Sequence, residues 1–71
     1  MKLIKKSNGY YLYKVGNRYF RISNLYSSDW DITEMKRIVA FDDVIDYEFL
    51  GSVCSCNTLK YAKEIIKLET K

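Results

Sequence analysis

The sequence predicts an α+β protein, an antiparallel sheet of four to five strands that opens with an N-terminal β-hairpin or meander and carries one C-terminal helix on its apolar face. Three observations lead there. Gly16-Asn17 separates two runs rich in Tyr, Val, Ile and Phe, and a two-residue loop with glycine first suits a type II′ hairpin turn. Val44 to Leu50 alternates, with Ile45, Tyr47 and Phe49 on one side and Asp46, Glu48 and Leu50 on the other. Leu59, Ala62, Ile65, Ile66 and Leu68 then fall at helical spacing, opposite Lys60, Lys63, Glu64 and Lys67. Strands followed by one terminal helix make an α+β pattern, with 1–71 as a single domain.

The elements follow in chain order. Asn8-Gly9 is a hairpin signal of the type I′ kind, so Leu3 to Ser7 is expected to fold as a strand onto Tyr10 to Val15. The Gly16-Asn17 turn sets a register that pairs Val15 with Arg18, Tyr13 with Phe20 and Tyr11 with Ile22. Tyr11, Tyr13, Val15, Phe20 and Ile22 then share the core side with Arg18 at its end, and Tyr10, Leu12, Lys14, Tyr19, Arg21 and Ser23 share the wet side. Ile32, Met35, Ile38 and Val39 follow helical spacing after the candidate caps Ser28 and Asp29, which predicts a short helix or turn near 29–36 and a strand after it. Arg37 to Phe41 also reads as a short buried strand. Asp42-Asp43 is a polar turn, Gly51-Ser52 another, and Asn57 or Thr58 caps the last helix.

Composition narrows the function. A chain of 71 residues buries only about 60% of the surface its unfolded form exposes, which leaves one thin core. There is no His, the commonest general base, and two Cys cannot complete a tetrahedral zinc site within one chain. Ten Tyr and Phe together with Trp30 supply enough apolar area for folding. No apolar run exceeds four residues, and the basic start Met1–Lys6 lacks the apolar stretch of a signal peptide. The expectation is a cytoplasmic, non-enzymatic protein with no membrane span, no metal and no cofactor.

Charge is strongly ordered along the chain. The net +3 divides into +6 over Met1–Ser28, −5 over Asp29–Glu48 and +2 over Phe49–Lys71. Blocks of opposite sign either neutralise one another in the fold or present different faces to partners. The exposed hairpin side, Tyr10, Lys14, Tyr19 and Arg21 with Lys5 near it, mixes cations that neutralise phosphates with rings that stack on bases. The same mixture stabilises ordinary exposed sheets and anchors protein interfaces. Asp42, Asp43, Asp46 and Glu48 form an acidic patch, which reads either as a solvated turn and strand edge or as a surface suited to a basic protein groove. Two other constellations are weak: Cys54 and Cys56 read as small buried residues, and Asp29 with the E-x-K run Glu34–Lys36 reads as solvated acids instead of a nuclease site.

Two resemblances accompany these residues. The run Gly9–Ile22, followed at a distance by Asn57–Lys63 with its T-x-x-x-A start (Thr58 to Ala62), resembles the sheet-then-helix plan of the arm-site DNA-binding domains of phage and transposon integrases. It covers about half of the chain, and here an acidic segment stands before the helix. A Lys-, Tyr- and Asn-rich domain of this size also resembles small phage and mobile-element accessory proteins, including anti-CRISPR and other anti-defence inhibitors. That resemblance implies stoichiometric binding to a host protein or nucleoprotein complex, with no chemistry of its own. The sequence therefore points to a small inhibitor-type binding protein using the hairpin and acidic patches separately. The alternative is a nucleic-acid-binding domain using the hairpin alone. Exposed strand edges at Leu3–Ser7 or Val53–Cys56 would also permit a homodimer.

Overall fold

The computed structural model describes residues 1–25 and 28–71. Strands β1 (Lys2–Ser7), β2 (Tyr10–Val15), β3 (Arg18–Ser23), β4 (Trp30–Val39) and β5 (Ile45–Cys56) precede a helix, α1 (Leu59–Glu69). Every strand is antiparallel to its sequence neighbour, in the spatial order β1-β2-β3-β4-β5. Helix α1 lies against β3, β4 and β5. This is the expected α+β arrangement.

The β2–β3 hairpin has the register its turn dictates, from Val15 opposite Arg18 to Tyr10 opposite Ser23. Gly16 supplies the positive φ of +61° that a type II′ turn needs at its first position. The β1–β2 turn differs from expectation. Gly9 has φ +73°, but Asn8 does not take a positive φ, so the turn is not type I′. The chain beyond β3 packs on this turn: the Asn24 N–H donates to the Gly9 carbonyl at 3.1 Å, and a Cβ on Gly9 would stand 2.5 Å from Asn24 Oδ1.

Residues 29–36 are not helical; β4 is a strand throughout Trp30–Val39. Ile32 points to the helix side and Met35 to the opposite side, yet both are buried. Apolar residues on both faces of a strand imitate the 3.6-residue spacing, and two flanking strands plus the β-branched Ile32, Thr33, Ile38 and Val39 decide for β. Gly51-Ser52 is likewise not a turn but part of a continuous β5, with Gly51 opposite Glu34 and Ser52 opposite Thr33. The register slips on either side of this pair, so Leu50 and Val53 are left as bulge residues.

Between sheet and helix lies the core: Tyr13, Phe20, Ile22, Ile32, Ala62 and Ile66, with Tyr11, Val15, Trp30, Val53, Cys56, Leu59 and Ile65 packed around them. Thr58 caps α1 by accepting a bond from the Tyr61 N–H at 3.1 Å. Two expectations fail here. Leu68 is 70% exposed, beyond the edge of the stripe, and Leu12, placed on the wet side, is fully buried on the face away from the helix. On that face Leu12 stands between Lys5 and Arg21, whose long side chains can cover it.

Phe20 and Ile66 are fully buried in the same cluster. Phe20→Ala is expected to cost about 3–5 kcal/mol and Ile66→Ala about 2–5 kcal/mol, read as a lower urea midpoint with an unchanged slope; Thr58→Ala should cost about 1 kcal/mol.

Candidate functional site

Alternation along the strands gives the sheet two unlike faces. One carries the helix. On the other, Tyr19 lies between Lys14 and Met35, and Arg21 between Leu12 and Thr33. Tyr10, Lys14, Tyr19 and Arg21 thus share one face, as the hairpin pattern requires, and all four are half-buried. β1 adds Lys5 opposite Leu12 and Lys2 opposite Lys14, while the β4–β5 pair adds Arg37 opposite Tyr47. The Tyr19 and Tyr47 rings meet at 5.3 Å and 54°, and Lys14 Nζ stands 5.8 Å from the Tyr19 ring centre. Asp31 is the one strand acid on this face, and it accepts a 2.8 Å bond from Ser55 Oγ. Arg37 and Tyr47 join the patch only through the register of β3 with β4, which the sequence reading of residues 29–36 as a helix or turn does not supply.

The acidic patch lies elsewhere. Beyond Met35 and Phe49 the β4–β5 pair continues as an arm to a tip at 40–44, where Phe41–Asp43 form a 3-10 turn. Asp42 and Asp43 sit at the tip with φ of +63° and +61°, a left-handed pair that Asp tolerates better than most residues. Asp46 and Glu48 lie opposite Ile38 and Lys36, on the side of the arm away from Tyr47. Sequence spacing did not reveal the apolar company of these acids. Val39, Phe41, Val44, Ile45, Phe49 and Leu50 are all exposed, Phe41 by 94%. Alternation of Ile45, Tyr47 and Phe49 reads as one packed face, but no element covers the arm among the described residues.

Arg18 joins core and arm. Its Nε and Nη2 donate to the two Glu34 carboxylate oxygens at 2.9 Å each, its Nη1 to the Glu69 carbonyl at 3.2 Å, and its guanidinium lies 5.0 Å from the Phe20 ring centre. This fork ties β3 to β4 and to the C-terminal end of α1, where a cation is favoured by the helix dipole. Arg18 and Glu34 also line a cleft of about 320 Å³ with Asn17, Tyr19, Met35, Lys36, Arg37 and Leu50. The bond from Arg18 holds the Glu34 carboxyl below its ordinary pKa, against the opposing effect of burial.

Among known protein families, curated proteins and solved structures, none matches this chain. No helix among the described residues is long and apolar enough to cross a membrane. The weaker constellations also find their places. Glu34 is engaged by Arg18, and the E-x-K run lies on a strand instead of a helix start. Among the described residues, no three Cys, Asp or Glu side chains converge to hold a metal ion. Cys54 and Cys56 lie opposite Ile32 and Trp30 and face the same way, but Cys54 is exposed and Cys56 half-buried, so neither is the buried residue expected. The thiol of Cys56 donates to the Thr58 carbonyl at 3.3 Å. Local desolvation, then the neighbouring Cys56 and Glu69, push the Cys54 thiol upward, away from nucleophilic thiolate.

A carboxyl whose pKa is lowered by folding stabilises the fold above its unfolded pKa and loses that contribution as pH falls through the folded value. Wild type should therefore exceed Glu34→Gln in stability at neutral pH, with the difference disappearing as pH falls below about 4.3, the ordinary glutamate value. Urea midpoints of both proteins between pH 7 and pH 2 measure this.

Proposed function

We propose that this is a non-catalytic binding protein that occupies a surface of a host protein or nucleoprotein complex, with the β4–β5 arm as the part that enters that surface. The exposure of Phe41 carries the reading: a large aromatic side chain stands 94% in solvent at the tip of a two-stranded arm, with Val39, Val44 and Ile45 exposed beside it. A cluster of this kind on a protein this small is what an interface anchor looks like before its partner arrives. Asp42 and Asp43 follow it in the tip turn, and Asp46 and Glu48 lie farther down one side of the arm, so the complementary surface is an apolar pocket with a basic rim. Tip residues take no part in the core, which leaves them free of any packing duty. Resemblance by type to small phage and mobile-element proteins makes an inhibitor of bacterial defence, of the anti-CRISPR kind and acting in the cytoplasm, the form of the function we favour.

Phe41→Ser/Val44→Ser should leave thermal stability within about 0.5 kcal/mol of wild type, as for other exposed positions. In affinity capture from a bacterial lysate, a protein retained in equimolar amount by the wild-type chain should be lost with this double variant and kept with Leu68→Ser. Retention of the same protein by the arm variant would remove the arm from the interface.

A further inference from the structure

We infer that the open sheet face is a binding platform for single-stranded nucleic acid, which runs onto the root of the arm through Arg37 and Tyr47 but not to its tip. The strand registers sort the charges of the sheet. Lys2, Lys5, Lys14, Arg21 and Arg37 all fall on the face without the helix, with Asp31 as its one strand acid. None of these five cations forms an ion pair among the described residues, whereas Arg18, on the helix side, is bound by two carboxylates. Arg21 Nε is buried with no hydrogen-bond partner among the described residues. Five cations against one strand acid on a face favour an anionic ligand, and their spread over four neighbouring strands, about 14 Å at 4.8 Å per strand, suits a polyanion.

Aromatic rings mark the path. Tyr47 beside Arg37, Tyr19 beside Lys14, and Tyr10 beyond Arg21 run diagonally across the same face, so stacking surfaces and cations alternate. Rings that accept unpaired bases next to cations that accept phosphates are the recurring composition of single-strand sites. Duplex is disfavoured by shape: the patch lies on a sheet, with Tyr10, Lys14, Tyr19, Arg21 and Tyr47 half-buried, and the element that projects is the arm, whose tip carries Asp42 and Asp43. Those acids would meet the phosphates lining any groove the arm entered. Lys6, Arg18 and Lys36 fall on the other side of the sheet, but so do Glu34, Asp46 and Glu48, so the strand charges balance there and leave a net excess of four cations on the open face.

The full chain is titrated, by fluorescence anisotropy, into fluorescein-labelled dT12, U12 and a 12-base-pair duplex at 50 and 200 mM NaCl. A single-stranded probe is expected to bind more tightly than duplex and to weaken about 20- to 50-fold between the two salts, the response for three to four phosphate contacts. Tyr19→Ala/Tyr47→Ala should weaken binding at least about 5-fold. Lys14→Gln/Arg37→Gln should weaken it and flatten the salt response, while Lys60→Gln on the helix and the arm variant Phe41→Ser/Val44→Ser leave it unchanged. Circular dichroism and thermal melts confirm that each variant is folded. Absence of binding at 50 mM, tighter binding to duplex, or equal loss with Lys60→Gln would overturn the proposal. So would face variants that lose a captured protein while wild type shows no oligonucleotide binding. Arm variants alone report on the protein-binding reading, so the two readings can fail independently.

Discussion

One helix has to serve the whole sheet, and the rest of the molecule follows from its length. Eleven residues of α1 extend about 17 Å at 1.5 Å per residue, whereas the twelve residues of β5 extend about 40 Å. The helix can therefore cover one face of the sheet along only part of β3, β4 and β5. Phe20, Ile22, Ile32, Ala62 and Ile66 fill that covered region, and everything farther along β4 and β5 becomes an arm. The longest dimension of the molecule, 38 Å, reflects that uncovered length. An uncovered face and an uncovered arm are the two places where so small a protein can meet something else.

Arg18 stands where the covered and uncovered regions join. Glu34 on β4 and the last residues of α1 both bond to its guanidinium, so the end of the helix and the root of the arm are fixed to a common point. Beyond it strand alternation puts Arg37 and Tyr47 on the open face and Asp46 and Glu48 on the other, with Asp42 and Asp43 at the tip. A chain of net charge +3 in this way presents two surfaces of opposite electrostatic character. Neither surface requires the other to be occupied.

The hairpins and the helix were legible in the sequence because each is specified locally. Gly16-Asn17 determines the β2–β3 register, and register determines which side chains share a face. Asn57 and Thr58 before the apolar stripe marked the start of the helix, and Thr58 is the residue that caps it. β4 was not legible, because a central strand buried on both faces lacks alternation, and the apolar spacing of Ile32, Met35 and Ile38 mimics a helix. With residues 29–36 read as a helix or turn, the register that sets Arg37 and Tyr47 beside the hairpin patch could not be found, although both lie in segments expected to be strands. The exposed apolar arm was hidden for a different reason: Ile45 and Phe49 alternate as residues of a packed strand do, and whether a partner element covers them depends on the length of α1, a property of the whole fold.

Every strand pairs with its neighbour in sequence, which has a kinetic meaning. Each ladder closes a short loop, so its entropic cost is small and the sheet can grow hairpin by hairpin from either turn. The contacts of Arg18 with Glu69 are of another kind, since they span 51 positions. They can form only after the helix has been laid back across the finished strands. In folding, the same guanidinium that joins core to arm is thus a late fastening, and the arm, complete as a local hairpin, can assemble before the core is closed.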